Sequence, residues 1–271
     1  MTNPTVDAAL RFGASRIGMR ESVMVLSRVT GKTREELLTH NERRLNRDDI
    51  QNFESLTDRR ARGEPLQYIL GSWPFYGLEI SCDKRALIPR QDTEVLVEAV
   101  ARHIDGMVGI LDLCTGSGCV ALALASLPNT AVTASDISAE ALGLAAENAK
   151  SLGYPGIRFI RSDLFSQIPE GERFNIITAN PPYIPSSEVL RLSAEVRDYE
   201  PLLALDGGGD GLDIYRRLIP ESKNYLSPGG ALFLEVGPAA GVAALMESAG
   251  FNGIQTVSDY AGLPRVVYGV L

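Results

Sequence analysis

Residues 109–118 read Gly109-Ile110-Leu111-Asp112-Leu113-Cys114-Thr115-Gly116-Ser117-Gly118, followed by Cys119-Val120-Ala121-Leu122. An apolar run that carries one acidic residue, breaks at two glycines and resumes as an alanine- and leucine-rich stretch predicts a strand that turns sharply into a helix. Glycines at such a turn let the backbone bend and approach a ligand closely, as in nucleotide-binding βαβ units. The G-x-G-x-x-G fingerprint of dinucleotide sites is absent, because position 114 is Cys and nothing supplies the third glycine. The turn therefore predicts a cradle for a nucleoside rather than for a pyrophosphate.

Outward from this turn, short β-rich runs alternate with helical stretches from Asp92 onward, which predicts a parallel sheet covered on both faces. Seven strands are expected at 109–113, 131–135, 157–161, 174–179, 231–236, 254–257 and 265–270, with helices between them such as 138–152. The second strand ends at Asp136, 24 positions after Asp112, where an acidic side chain accepts hydrogen bonds from both ribose hydroxyls. Asp163 stands at the end of the third, above the crevice where open parallel sheets bind ligands. Each aspartate alone is equally well a cap or turn residue; the set at successive strand ends is what points to a nucleoside.

The fourth strand runs directly into Asn180-Pro181-Pro182-Tyr183. Two prolines restrict the backbone and remove two N–H donors, leaving the local carbonyls without competition. Asparagine adds a side-chain carbonyl acceptor, and tyrosine a flat apolar wall. This suits a planar, uncharged NH2 group held by two carbonyl oxygens with its nitrogen lone pair aimed at an electrophile; the plainer reading is a rigid strand exit with Tyr183 as core filler.

Composition narrows the classes. The chain has 271 residues, 45% hydrophobic and 22% charged, close to the average soluble domain and unlike disordered or fibrous chains. Its most apolar segment, 110–127, is interrupted by Asp112 and the polar turn, so no membrane span is expected. The N-terminus has neither a basic nor an apolar targeting segment, which leads us to expect a cytoplasmic protein. Cys82, Cys114 and Cys119 lack C-x-x-C spacing and the only histidines are His40 and His103, so reduced thiols and no metal site are expected. The net charge of −8 is uneven: residues 1–70 hold 12 Lys+Arg and 10 Asp+Glu, the remainder 14 against 24. An acidic larger part argues against direct nucleic-acid binding, which draws its affinity from neutralising phosphates.

Residues 1–70 show helical periodicity. Val23, Met24, Leu26 and Val29 precede Gly31, Thr33-Arg34-Glu35-Glu36 forms a capping box, and a further helix is expected over 48–62 with Gly63 and Pro65 beyond it. We expect a helical bundle at 1–70, a β-hairpin connector at 71–91 carrying Trp73, Phe75, Tyr76, Leu78 and Ile80, and a catalytic domain at 92–271.

The turn 112–118, Asp136 and Asn180-Pro181-Pro182-Tyr183 resemble class I S-adenosylmethionine-dependent methyltransferases that act on planar amino groups. Four further stretches look like the release-factor glutamine N5-methyltransferase family, often called HemK or PrmC: Gly71-Ser72-Trp73-Pro74-Phe75-Tyr76-Gly77, Ile88-Pro89-Arg90-Gln91-Asp92-Thr93-Glu94, Glu195-Val196-Arg197-Asp198-Tyr199-Glu200-Pro201 and Leu205-Asp206-Gly207-Gly208. The resemblance runs from about residue 60 to the C-terminus. It implies a seven-stranded Rossmann-like α/β sheet with a helical substrate-recognition part at the N-terminus, and transfer of a methyl group to the glutamine side chain of the Gly-Gly-Gln motif in bacterial class I peptide chain release factors. It also implies S-adenosyl-L-methionine as cofactor, S-adenosyl-L-homocysteine as product, and a monomer acting on a protein partner without membrane or nucleic acid. Carried over by position, Cys114, Thr115, Gly116, Ser117 and Gly118 would wrap the methionine end, Asp136 would take the ribose, and Asp163 with Leu164 would border the adenine. Asn180 would face cofactor and acceptor, Pro181 would offer its carbonyl, and Pro182 and Tyr183 would shape the slot. Two positions depart from the family: Cys114 stands where glycine is usual, so its side chain should point away from the cofactor, and Gln91 replaces the usual proline. The alternatives are a DNA adenine-N6 methyltransferase, which shares the Asn-Pro-Pro-Tyr logic but needs base flipping, a ribosomal-protein or small-molecule methyltransferase, and a non-catalytic cofactor-binding partner.

Overall fold

The computed structural model describes residues 3–271. The chain begins with five helices, α1 (Val6–Ile17), α2 (Met19–Thr30), α3 (Arg34–Thr39), α4 (Arg47–Ala61) and α5 (Leu66–Leu70), followed by two short strands, β1 (Ser72–Phe75) and β2 (Leu78–Ser81). Then come α6 (Glu94–Ala101), β3 (Val108–Leu113), α7 (Cys119–Ala125), β4 (Thr130–Asp136), α8 (Ala139–Leu152), β5 (Arg158–Arg161) and β6 (Phe174–Ala179). The remainder is α9 (Ser186–Val189), α10 (Ala194–Arg197), α11 (Asp213–Ser222), β7 (Leu226–Glu235), α12 (Ala239–Ser248), β8 (Asn252–Ser258) and β9 (Pro264–Val270).

These elements form two compact units. One comprises the described residues up to Ser72 together with Ser193–Tyr199; the other comprises Trp73–Leu192 and Glu200–Leu271. The helical unit is organised by its caps. Thr33 and Glu36 close a reciprocal capping box at the start of α3, Asn46 accepts the Asp49 N–H at 2.7 Å to open α4, and α2 stops at Gly31, whose φ of 66° is left-handed. The apolar faces so oriented bury Leu10, Leu26, Leu37, Phe53 and Ile69 in one core. The short α10 joins this unit through Glu195, which lies 3.4 Å from Arg60, and Tyr199, whose hydroxyl donates to the Arg62 carbonyl at 3.3 Å.

The second unit is built on a seven-stranded sheet of order β5-β4-β3-β6-β7-β9-β8. The β3–β4, β3–β6, β4–β5 and β6–β7 pairs are parallel, while β9 runs antiparallel to both β7 and β8. All seven expected strands are present. Alternation along β3 sends Ile110 to one face, with Leu96 of α6 and Leu122 of α7, and Leu111 and Leu113 to the other, with Leu218 of α11 and Val242 of α12. The order reverses beside β3, because the chain leaves it toward β4 and β5 and returns on its other side as β6. Such a switch point opens a crevice at the carboxyl ends of the strands.

Most boundaries fall within one or two residues of the sequence reading, and two differ by more. Strand β7 begins at Leu226 rather than 231, because Phe174 pairs with Leu226 and Ile176 with Ala231, so a bulge accommodates Ser227-Pro228-Gly229-Gly230. The Pro-Gly-Gly run signals a turn in sequence, yet a bulge also takes residues that cannot pair. In the connector only Ser72–Ser81 is a hairpin. It turns at Tyr76 and Gly77, both at positive φ (48° and 77°), as tight hairpins require. Among the described residues no helix is long and apolar enough to cross a membrane.

Candidate active site

A cavity of about 270 Å³ opens at the carboxyl ends of β3, β4 and β6. Its first wall is the turn after β3. Cys114 and Gly116 both have φ of 56°, and Gly118 has φ of 81°. A Cβ on Gly118 would stand 2.9 Å from Ala145 Cβ on α8, so close helix approach as well as dihedral angle requires glycine there. Cys114 occupies its left-handed position as a side chain that packs against the apolar cluster of β3, β6 and α11. That conformation explains why glycine suits the position. Burial raises the Cys114 thiol far above its usual range.

The turn is tied down by its neighbour. Thr115 donates its N–H to the Ser135 carbonyl at 3.0 Å, and Gly116 donates its N–H to Asp136 Oδ2 at 2.9 Å. Asp136 Oδ1 accepts the Ser138 N–H at 2.9 Å. Each carboxylate oxygen has a second lone pair, so Asp136 shapes the turn and keeps acceptor capacity for a ligand. Burial raises its pKa, against the backbone donors of Ser138 and Gly116.

Asp112, at the end of β3, is 1% exposed. Its Oδ1 accepts the Thr178 hydroxyl at 2.8 Å, whereas Oδ2 has no hydrogen-bond partner among the described residues, and neither do the hydroxyls of Thr115 and Ser117. All three line the cavity. Burial lifts the Asp112 carboxyl to about 7. An orphaned carboxylate oxygen beside two orphaned hydroxyls is what a cationic, hydrogen-bonding group such as an α-ammonium would complete.

On the opposite rim, Asp163 accepts Arg217 Nη2 at 2.7 Å, and Leu164 follows with φ of 50°. Asp163, Leu164 and Arg217 line the cavity. A further wall brings two separated motifs together. Glu200, whose side chain is 1% exposed, pairs with Arg90 and accepts the Ile88 N–H at 3.1 Å. Gln91 begins the turn of 3₁₀-helix Gln91–Thr93, a first helical position at which proline and other residues both fit.

The corner after β6 supplies the last wall. Asn180 and Pro182 face the cavity, whereas Pro181, Tyr183 and Gly118 are not among its lining residues. Pro181 is buried. Tyr183 packs its ring on Gly237, where a Cβ would meet Tyr183 Cδ2 at 2.7 Å, and a Cβ on Gly207 would meet Tyr183 Cα at 2.6 Å. The segment is also stitched to the Leu205–Gly208 motif: Ile184 donates its N–H to the Leu205 carbonyl at 3.0 Å, and Gly207 returns its own to the Ile184 carbonyl at 2.8 Å. Asn180 Nδ2 donates to Thr93 Oγ1 at 3.4 Å.

The structure thus gathers the glycine turn, Asp136, Asp163, Leu164 and Asn180 around one cavity. Sequence reading did not assign the ligand-facing role of Asp112, nor Arg90, Glu200, Arg217 and Thr93. The signal for Asp112 was an acid inside an apolar run. The others became visible only when distant segments met.

The fold and the cavity together define a class I methyltransferase. Residues 8–71 match the family model described as PrmC N-terminal domain, and residues 90–195 match the methyltransferase small domain. The chain is 41% identical over 252 residues to the release factor glutamine methyltransferase of Geobacter sulfurreducens, covering 92% of this chain and 88% of that one. It is 38% identical over 266 residues to the enzyme of that name from Yersinia pestis, covering 97% and 95%. The chain belongs to the release factor glutamine methyltransferase family. Its fold is shared with a methyltransferase from Pyrococcus furiosus, at a TM-score of 0.54 and 20% identity over 72% of this chain and 89% of that one.

Proposed function

We propose that this protein methylates N5 of the glutamine in the Gly-Gly-Gln motif of class I peptide chain release factors, with S-adenosyl-L-methionine as donor. The observation that carries the site assignment is the adjacency of two strand tips: Leu113 pairs with Ala179, so the glycine turn and the Asn180 corner open onto the same cavity.

When bound, S-adenosyl-L-methionine supplies an electrophilic methyl group on a sulfonium and leaves as S-adenosyl-L-homocysteine. Asp112 would hold the ammonium with its unpartnered oxygen, and the Thr115 and Ser117 hydroxyls would complete that end. Asp136 would accept from the ribose hydroxyls, and Asp163 and Leu164 would border the base.

An amide nitrogen is a weak nucleophile because its lone pair is delocalised into the carbonyl. Asn180 Oδ1 and the Pro181 carbonyl would each accept one N–H of the acceptor glutamine, drawing positive charge off the nitrogen as it attacks. Pro181 and Pro182 contribute by what they lack, since no local N–H competes for these carbonyls. Pro182 would confine the flat amide, and Tyr183, packed on Gly237 outside the cavity lining, would brace the corner. Orientation of this kind is worth on the order of 7–11 kcal/mol, more than any one hydrogen bond supplies. Cys114 and Cys119 are no covalent relay: burial raises both thiols, Cys119 to about 12, so neither is a thiolate at neutral pH.

The helical residues 1–70 are the proposed grip on the protein substrate, because a loop glutamine offers little surface by itself. The proposed setting is the cytoplasm, with the protein acting as a monomer, and the balance of 14 basic against 24 acidic residues beyond residue 70 favours a protein over a nucleic-acid acceptor. Mass spectrometry of a tryptic release-factor peptide, after incubation of the intact factor with the enzyme and donor, should show one added methyl group on the Gly-Gly-Gln glutamine. Labelling of DNA in place of the factor would sink the assignment.

A further inference from the structure

Asn148 lies on the buried face of α8 and is 0% exposed. It follows Ala145, the residue that a Cβ on Gly118 would meet, by three positions, so both sit on the side of the helix turned to the glycine turn. The buried residues around it on α8, Ala141, Leu144, Ala145 and Ala149, are all apolar. A carboxamide among them costs stability unless its hydrogen bonds are made. They are made. Asn148 Oδ1 accepts the Ser81 N–H at 2.9 Å, and Nδ2 donates to the Ser81 carbonyl at 3.2 Å and to the Ser117 carbonyl at 3.0 Å.

One N–H and two carbonyls surround the carboxamide, so it fits only one way round and both its protons are spent. Ser81 closes β2, which pairs with β1. Its two bonds anchor the side chain, and the remaining one reaches across to the glycine turn. Side chains thus hold that turn at two points: Asp136 takes the Gly116 N–H, and Asn148 takes the Ser117 carbonyl. Ser117 is 2% exposed, lines the cavity, and its hydroxyl has no hydrogen-bond partner among the described residues. Asn148 itself is not among the residues that line the cavity.

We propose that Asn148 is a positioning residue for the methionine end of the donor: by tying the Ser117 carbonyl to the end of β2, it sets where the Ser117 hydroxyl stands in the cavity. This rests on the reading of Ser117 as a contact for that end. A glycine-rich turn is free to move unless its peptide groups are held, and a contact residue is only as well placed as the groups that support it. Asn148 touches neither substrate nor donor in this scheme. It acts on donor affinity through Ser117, and only on the part of the donor that Ser117 meets.

The test is calorimetry on the full chain with two ligands: S-adenosyl-L-homocysteine, which carries the amino-acid end, and 5′-methylthioadenosine, which lacks it. Asn148→Leu removes all three bonds at similar volume. It should weaken S-adenosyl-L-homocysteine about tenfold, near the upper worth of one hydrogen bond, while 5′-methylthioadenosine stays within about twofold and the stoichiometry stays full. Asn148→Ala leaves room for a water to take over the bonds and should show the same pattern at smaller size. Equal weakening of both ligands, no weakening of either, or a lower stoichiometry at unchanged affinity overturns the positioning role. So does failure of both variants to fold, which assigns Asn148 to stability alone. Ser117→Ala checks the reading underneath and should weaken S-adenosyl-L-homocysteine while sparing 5′-methylthioadenosine. If it spares both, the contact at Ser117 falls and the proposal with it; if it shows the pattern and Asn148→Leu does not, only the positioning role falls.

Discussion

The turn after β3 takes its shape from left-handed residues and backbone hydrogen bonds to β4, whereas the corner after β6 takes its shape from two prolines and from glycines packed against Tyr183. The first wall carries unpartnered polar atoms at Asp112, Thr115 and Ser117. The second is rigid, and its asparagine amide already donates to Thr93. A site for a charged cosubstrate can leave its polar groups to be completed on binding. A site that must hold a weak nucleophile in one orientation has to be finished beforehand, because positioning is most of what it contributes.

The largest effect should come from the rigid corner. Asn180→Ala is expected to lower turnover by about 10²–10³ while donor affinity, followed by calorimetry, changes only a few-fold. Equal losses in turnover and affinity would erase the division between the two walls. Asp136→Ala should do the reverse, weakening donor binding by roughly 10–100-fold, as loss of a charge-assisted hydrogen bond does; unchanged affinity would remove the ribose assignment.

Asp112 sharpens the comparison through pH. Its pKa is raised by burial to about 7, while the unfolded group ionises in the ordinary carboxylate range. Between those values the folded form carries a proton that the unfolded form has lost, so apo stability is greatest at low pH and declines as pH rises toward 7. Glu235, also raised by burial to about 7, adds to the same decline. Melting temperatures of the ligand-free protein should fall from pH 5 to pH 8, and Asp112→Asn should flatten the slope. Donor affinity should move the opposite way, rising through about 7 as Asp112 ionises, and that rise should vanish in the asparagine variant. The smallest effect is expected from Arg217→Ala. The Asp163–Arg217 pair is about half exposed on both sides, 45% and 52%, and such pairs contribute about 0–1 kcal/mol. A melting-temperature loss beyond a few degrees would show that this rim is structural.

Much of this site was legible before any coordinates. Hydrophobic runs broken by Gly and Asp located the central strands β3 and β6, because a parallel strand buried on both faces must be nearly continuously apolar. The edge strands β5 and β8, by contrast, are largely exposed and were marked by their β-branched and aromatic residues. The start of β7 escaped because Ser227-Pro228-Gly229-Gly230 carries turn chemistry and sits in a bulge instead. Thr93 carried no local signal at all, and Glu235 only that of an acid closing an apolar strand.

The sequence by itself determined the two functional strand exits, since the glycine turn and the Asn-Pro-Pro-Tyr corner are each set by the dihedral freedom and donor inventory of their own residues. Only the tertiary structure decided which oxygens are left for a ligand and which way Asn180 faces. Those properties depend on partners 20 to 112 positions away in the chain, Asp136 on Gly116, Thr93 on Asn180 and Glu200 on Ile88. A hydrogen bond acts over about 3 Å, and packing of the whole sheet is what brings such atoms within its reach.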